Sequence, residues 1–183
     1  YTPVLVPRLL AWLREARAGG ELHSVVMASL SAVASAVEAA FRPYLHDLVD
    51  ALQPFLALHD ADDDEAMHLR ARAVECLGVL AVSVGADAFA PLLAPSMAHA
   101  LDGLAMDSHE LREFTFGFLA HVAEAYGERF AEYLPALVEI ALVSALSNEG
   151  VTGVLDQPDD TPIEGFDDDD DDDGGAGSGG GGG

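Results

Sequence analysis

The chain has 183 residues, of which 50% are apolar, 22% charged and 7% aromatic. Its 32 acids face 8 basic residues, all arginine with no lysine, for a net charge of -24. So few cations cannot build a face that neutralises nucleic-acid phosphates or an anionic membrane surface; the partner this charge favours is basic.

Along residues 1 to 149, alanine, leucine and glutamate dominate and alternating β-branched runs are missing, so the expected class is all-α. Residues 2 to 17 are expected to form the second helix of an incomplete pair. Three complete antiparallel pairs follow: 22 to 40 with 43 to 58, 65 to 85 with 90 to 106, and 109 to 126 with 131 to 147. Three stripes at helical spacing mark the buried faces. They are Val26, Leu30, Val33 and Val37; then Val74, Leu77, Leu80 and Val84; then Leu111, Thr115, Phe118, Val122 and Tyr126.

Self-comparison exposes a repeat. Phe41-Arg-Pro-Tyr-Leu, Phe89-Ala-Pro-Leu-Leu and Phe130-Ala-Glu-Tyr-Leu-Pro are variants of one phrase, and Tyr1-Thr-Pro-Val-Leu opens a fourth copy. The starting aromatics are 40, 48 and 41 residues apart, close to the spacing of about 40 to 47 found in HEAT and armadillo arrays. Three, four and eight residues after each aromatic stand apolar residues, for instance Leu5, Leu45, Leu93 and Leu134 at the fourth. Pro3, Pro43 and Pro91 are expected in first helical turns, where a missing N–H costs little. Gly85 and Gly127 are expected where the backbone must take positive φ. The fold expected is a right-handed α-solenoid of stacked helix pairs with apolar faces open at both ends.

From about Gly150 the periodicity stops. Eleven acids fall within residues 156 to 173, including the run Asp167, Asp168, Asp169, Asp170, Asp171, Asp172 and Asp173. Ten further residues, eight of them glycine, complete the chain. Residues 150 to 183 cannot bury enough apolar surface to offset their ordering entropy, so a disordered tail or a truncated loop is expected. The aspartate run suits either a solvated linker or an electrostatic arm for a basic partner. Without the tail's eleven acids, 21 acids and 8 arginines remain in residues 1 to 155, a net of -13. A start at Tyr1 and an end in five glycines suggest a fragment or an incomplete gene model.

Chemistry-bearing constellations are sparse. Cys76 stands alone, which excludes an intramolecular disulfide or a multi-cysteine zinc site and suits a reducing compartment. It sits in an apolar stripe and is expected to pack as a small buried hydrophobe. His59 and His68 flank five acids but without metal-ligand spacing. No metal, cofactor or enzyme activity is expected, and no apolar run approaches the roughly 20 residues needed to cross a bilayer. The second helices instead carry Asp47, Asp50, His99, Asp102 and Glu139, with His46, on polar faces. If second helices line the concave surface, these form an acidic ladder, unpaired because no arginine lies between Asp47 and Ala57.

Two segments carry a family resemblance. Leu111 to Pro135, LREFTFGFLAHVAEAYGERFAEYLP, and residues 70 to 85, RARAVECLGVLAVSVG, resemble recurring phrases of the importin-β (karyopherin-β) family. SALSNEGVT ahead of an acidic stretch is similar to the importin-four type, which carries histones and ribosomal proteins. The resemblance implies a segment of the middle HEAT repeats of a nuclear import receptor that shuttles between cytoplasm and nucleus. Basic cargo would bind the concave acidic face and be released by GTP-bound Ran, with nucleoporins as further partners. A non-transport HEAT scaffold, of phosphatase or translation-factor type, and an acidic chaperone for basic proteins are the alternatives.

Overall fold

The computed structural model describes residues 1–15, 20–60 and 62–146, and every regular element among them is helical. In chain order these are α1 (Thr2–Leu13), α2 (Gly20–Val37), a 3-10 segment (Glu38–Tyr44), α3 (Leu45–Leu56), α4 (Asp64–Val84), α5 (Ala86–Leu104), α6 (His109–Tyr126), a second 3-10 segment (Gly127–Tyr133) and α7 (Leu134–Leu146). The expected acidic and glycine-rich tail lies outside the described residues.

Helix starts follow local chemistry. The Asp63 carboxylate accepts from the Ala66 N–H to cap α4, and the Ser108 hydroxyl does the same for the Leu111 N–H at α6. Such caps are worth about 1 kcal/mol each. Pro3 stands in the first turn of α1 as expected. Gly85 takes φ +83° and turns the chain from α4 into α5 within one residue, and Gly127 takes φ +53° after α6.

Three boundaries differ from expectation. The Phe41 and Phe130 phrases lie in 3-10 segments, so α3 and α7 begin at Leu45 and Leu134 rather than at 43 and 131. The Phe89 phrase lies inside α5, which starts at Ala86 rather than 90 because the single-residue turn at Gly85 leaves no room for a 3-10 segment. Pro91 and Pro95 are therefore interior to α5, and each forgoes one backbone hydrogen bond.

The stripes pack as expected in the middle of the array. Val74, Leu77, Leu80 and Val84 are buried, as are Leu111, Thr115, Phe118, Val122 and Tyr126, and the aromatics Phe41, Phe89 and Phe130 join the same core. In the terminal helices the equivalent positions are open: Val4 is 69% exposed and Val138 51%. These faces have no neighbouring helix to cover them among the described residues. The helical stretch Gly20–Leu56 also holds an 18-residue window of mean hydropathy 1.6, long and apolar enough to cross a membrane by length and composition. That corrects the expectation that no such run exists. Of the apolar residues of α2, Val26, Met27, Leu30 and Ala34 are buried.

Helices α2, α4 and α6 form the tightest row; α1 packs on α2, α3 on α4, and α5 on both α4 and α6. The tightness has a local cause. A Cβ on Gly78 would stand 3.0 Å from the Phe118 Cα and 2.9 Å from His121 Nδ1, so only glycine lets α4 and α6 approach this closely.

That contact reverses the usual propensity rule. In an open helix Gly→Ala stabilises by about 0.5–1 kcal/mol. Gly117→Ala in α6, where a new Cβ meets nothing within 4 Å, is expected to raise the melting temperature. Gly78→Ala is expected to lower it, and two increases in a thermal melt would show that α4 and α6 are not in contact there.

Candidate functional site

The acids singled out on α3, α5 and α7 have three different surroundings. Asp47 is exposed, yet Arg14 at the end of α1 reaches it: Nη2 donates to the Asp47 backbone oxygen at 2.9 Å and stands 3.7 Å from its carboxylate. An exposed pair of this kind contributes about 0–1 kcal/mol, so Asp47 remains free to exchange partners. Asp50 and Glu139 are exposed and make no ion pair among the described residues. Asp50 borders a cavity of about 340 Å³ between α1, α2 and α3, alongside Arg14 and Phe55.

Asp102 and His99 belong to a different arrangement. The Arg70 side chain has no exposed surface. Its Nη2 donates to Asp102 Oδ2 at 2.7 Å and to the His99 backbone oxygen at 3.2 Å; its Nη1 donates to the Leu58 backbone oxygen at 2.6 Å. His59 Nδ1 and Met106 Sδ complete the shell, at 3.0 and 3.2 Å from Nη1. The Arg70 hydrogen bond holds the Asp102 carboxyl below its usual range. Burial, and next the Arg70 charge, lower His99 and favour its neutral ring.

This corrects the expectation of unpaired acids. Asp47 and Asp102 both have arginine partners, supplied by α1 and α4, which no inspection of the α3 or α5 sequence could reveal. Asp102 is structural, because it neutralises a buried cation. Sequence reasoning missed Arg70, although a signal was present: Leu69-Arg70 and Leu111-Arg112 occupy equivalent places in successive repeats. Cys76 is fully buried, and burial pushes its thiol up to about 12, which leaves it an inert packing residue. Among the described residues no group of three or more His, Cys, Asp or Glu side chains is placed to hold a metal ion.

A second acidic region lies on the α2–α4–α6 row. Glu21, Asp64, Glu65 and Glu110, with Ser24 and His68, line a cavity of about 870 Å³. Glu65 accepts from the Gly20 N–H at 2.9 Å and so ties α4 to the start of α2. In the sequence only Asp64, Glu65 and His68 of this group stand near one another, because Glu21, Ser24 and Glu110 join from other helices.

Stacked helix pairs with a buried arginine joining one repeat to the next define a HEAT-type α-solenoid. No family model matches the chain. Over 138 residues, 75% of its length, the chain is 35% identical to "Probable importin subunit beta-4" of Schizosaccharomyces pombe. It is 30% identical over 129 residues to Importin-4 of Homo sapiens and 29% identical over 130 residues to Importin-4 of Mus musculus. The chain belongs to the importin-β family, and its likeness is to the importin-4 type. The matched stretch is 13% of the yeast protein and 12% of each mammalian one.

The Arg70 cluster makes two expectations. Arg70→Ala leaves the Leu58 and His99 carbonyls without their donor and should cost about 1–3 kcal/mol, the usual loss when a buried acceptor goes unsatisfied, while the half-exposed Asp102 carboxylate can turn to water. The Asp102 carboxyl is depressed in the folded state, so its contribution is fully present above the ordinary carboxylate value and disappears as pH falls through the folded one. In urea melts, wild type should therefore exceed Asp102→Asn in stability at pH 7, and the gap should close under acid. A gap independent of pH would mean that the carboxylate charge plays no part.

Proposed function

We propose that this chain is a segment of a nuclear import receptor that captures basic cargo, bearing Lys/Arg-rich signals of the kind found in histones or ribosomal proteins, on an acidic face. The observation that carries this reading is the net charge of -13 over residues 1 to 155 without a single lysine, in a member of a family whose relatives are named importins. Such a surface steers cationic partners toward it and gains affinity through complementarity. Loading in the cytoplasm and release by GTP-bound Ran in the nucleus complete the cycle, with nucleoporins as transit partners. These steps belong to the receptor as a whole. Residues 1 to 149 act as the repeat array, and residues 150 to 183 carry the acidic arm.

Within the array, Asp50 and Glu139 are the cargo contacts we retain on the second helices. Asp47 joins them by exchanging Arg14 for a cargo cation, and His99 on α5 contributes a neutral hydrogen-bonding group. Asp102 is withdrawn, because a carboxylate committed to Arg70 at 2.7 Å has little left to offer a second cation.

An arginine- and lysine-rich peptide should bind the chain, and its affinity should fall as salt shortens the Debye length from about 10 Å at 0.1 M to about 3 Å at 1 M. The double reversal Asp50→Lys with Glu139→Lys should weaken binding more than Glu113→Lys with Glu124→Lys on α6. Equal losses in a titration would reduce the reading to bulk charge. Deleting Asp167 to Asp173 should mainly lower the association rate, because distant charge steers encounter more than it holds the bound state.

A further inference from the structure

Three side chains from three helices form a hydrogen-bonded relay that the transport reading does not use. Ser24 on α2 lies 3.0 Å, Oγ to Nε2, from His68 on α4. The opposite ring nitrogen, His68 Nδ1, lies 2.7 Å from Glu110 Oε1 on α6. A hydroxyl, an imidazole and a carboxylate in this order make up the relay that activates a serine: the ring accepts the hydroxyl proton while the carboxylate orients and stabilises it. All three line the cavity of about 870 Å³ between the helices. A cation stands beside the hydroxyl. Arg72 Nε is 3.4 Å from Ser24 Oγ, and the guanidinium is held by Glu75 at 2.8 Å and lies 5.4 Å from the centre of the Phe114 ring.

We propose that Ser24 is an activated acyl acceptor, a covalent modification site whose general base is His68 and whose positioning residue is Glu110. Ser24 Oγ adds to the carbonyl carbon of an ester or thioester, and His68 Nε2 takes the hydroxyl proton. The negative charge on the former carbonyl oxygen develops beside Arg72. The bond to the alkoxide or thiolate then breaks, the leaving group takes the proton from Nε2, and acyl-Ser24 remains. Glu21, Asp64 and Glu65 at the cavity favour substrates whose remaining part is cationic.

The same geometry limits the chemistry to a single acylation. Ser24 is the fifth residue of α2, so its own N–H and that of Val25 belong to the helical ladder, and the nucleophile's own backbone cannot supply an oxyanion-hole pair. One such donor is worth about 10²–10³ in rate, and hydrolysis of the acyl-serine by water is correspondingly slow. The site accepts a group and keeps it.

A fluorophosphonate probe on the intact 183-residue chain tests this directly, because Oγ–P forms, P–F breaks and the proton leaves with fluoride. Peptide mass spectrometry should find one adduct per chain, on Ser24. Ser29, on the same helix, should stay unmodified, since its hydroxyl only donates to the Val25 carbonyl. His68→Gln should slow labelling about 10²-fold or more, the usual contribution of a general base. Glu110→Gln should slow it about tenfold or more with an unchanged helical circular dichroism spectrum, which separates positioning from folding. A probe with a quaternary ammonium group should react faster than an anionic one, with the gap closing in high salt. Labelling of folded chain no faster than of heat-unfolded chain, or equal labelling of Ser24 and Ser29, overturns the proposal.

Discussion

A guanidinium without exposed surface needs its hydrogen bonds met by the protein, and this requirement organises the middle of the array. Arg70 stands on α4, yet its acceptors come from the turn after α3, from the turn after α5 and from α5 itself. Burying a charge is tolerated only when it is paired and bonded, so these segments can occupy only one arrangement around it. The Nε atom finds no protein partner, and that residual cost makes the remaining five contacts more necessary. The cluster sits where one helix pair meets the next and ties adjacent repeats to each other.

The second constraint is steric. Gly78 lets α4 and α6 pack at backbone distance, and with α2 on α4 they form the tight row of the solenoid, whereas α1, α3, α5 and α7 are held more loosely to one another. Close packing of three helices brings polar side chains within hydrogen-bond reach across sequence separations of more than forty residues. Ser24, His68 and Glu110 meet for this reason, and so do Glu65 and the Gly20 amide. The looser row leaves Asp50 and Glu139 exposed.

These features give the segment two kinds of polar surface. One is diffuse and acts by charge over a distance; the other is compact and acts by hydrogen-bond geometry. The first depends on composition and survives rearrangement of individual side chains. The second depends on three helices holding their spacing and is lost if any of them shifts.

Much was legible in the chain before folding was considered. The apolar stripes on α4 and α6, the aromatic-led phrases and the glycines at 85 and 127 each express local backbone or burial rules, and those act over a few residues. The family likeness was readable in Leu111 to Pro135 for the same reason, since a repeat must restate its packing code in each copy. Helix starts at α3, α5 and α7 were misjudged because the same phrase serves as a 3-10 segment where the chain has slack and as helix interior where Gly85 removes it. The pairing of acids could not be read locally at all. Asp47 and Asp102 are neutralised by arginines 33 and 32 positions away, and Ser24 meets His68 across 44. Electrostatic and hydrogen-bond partners are chosen by distance in space, and only the stacking of helices sets that distance.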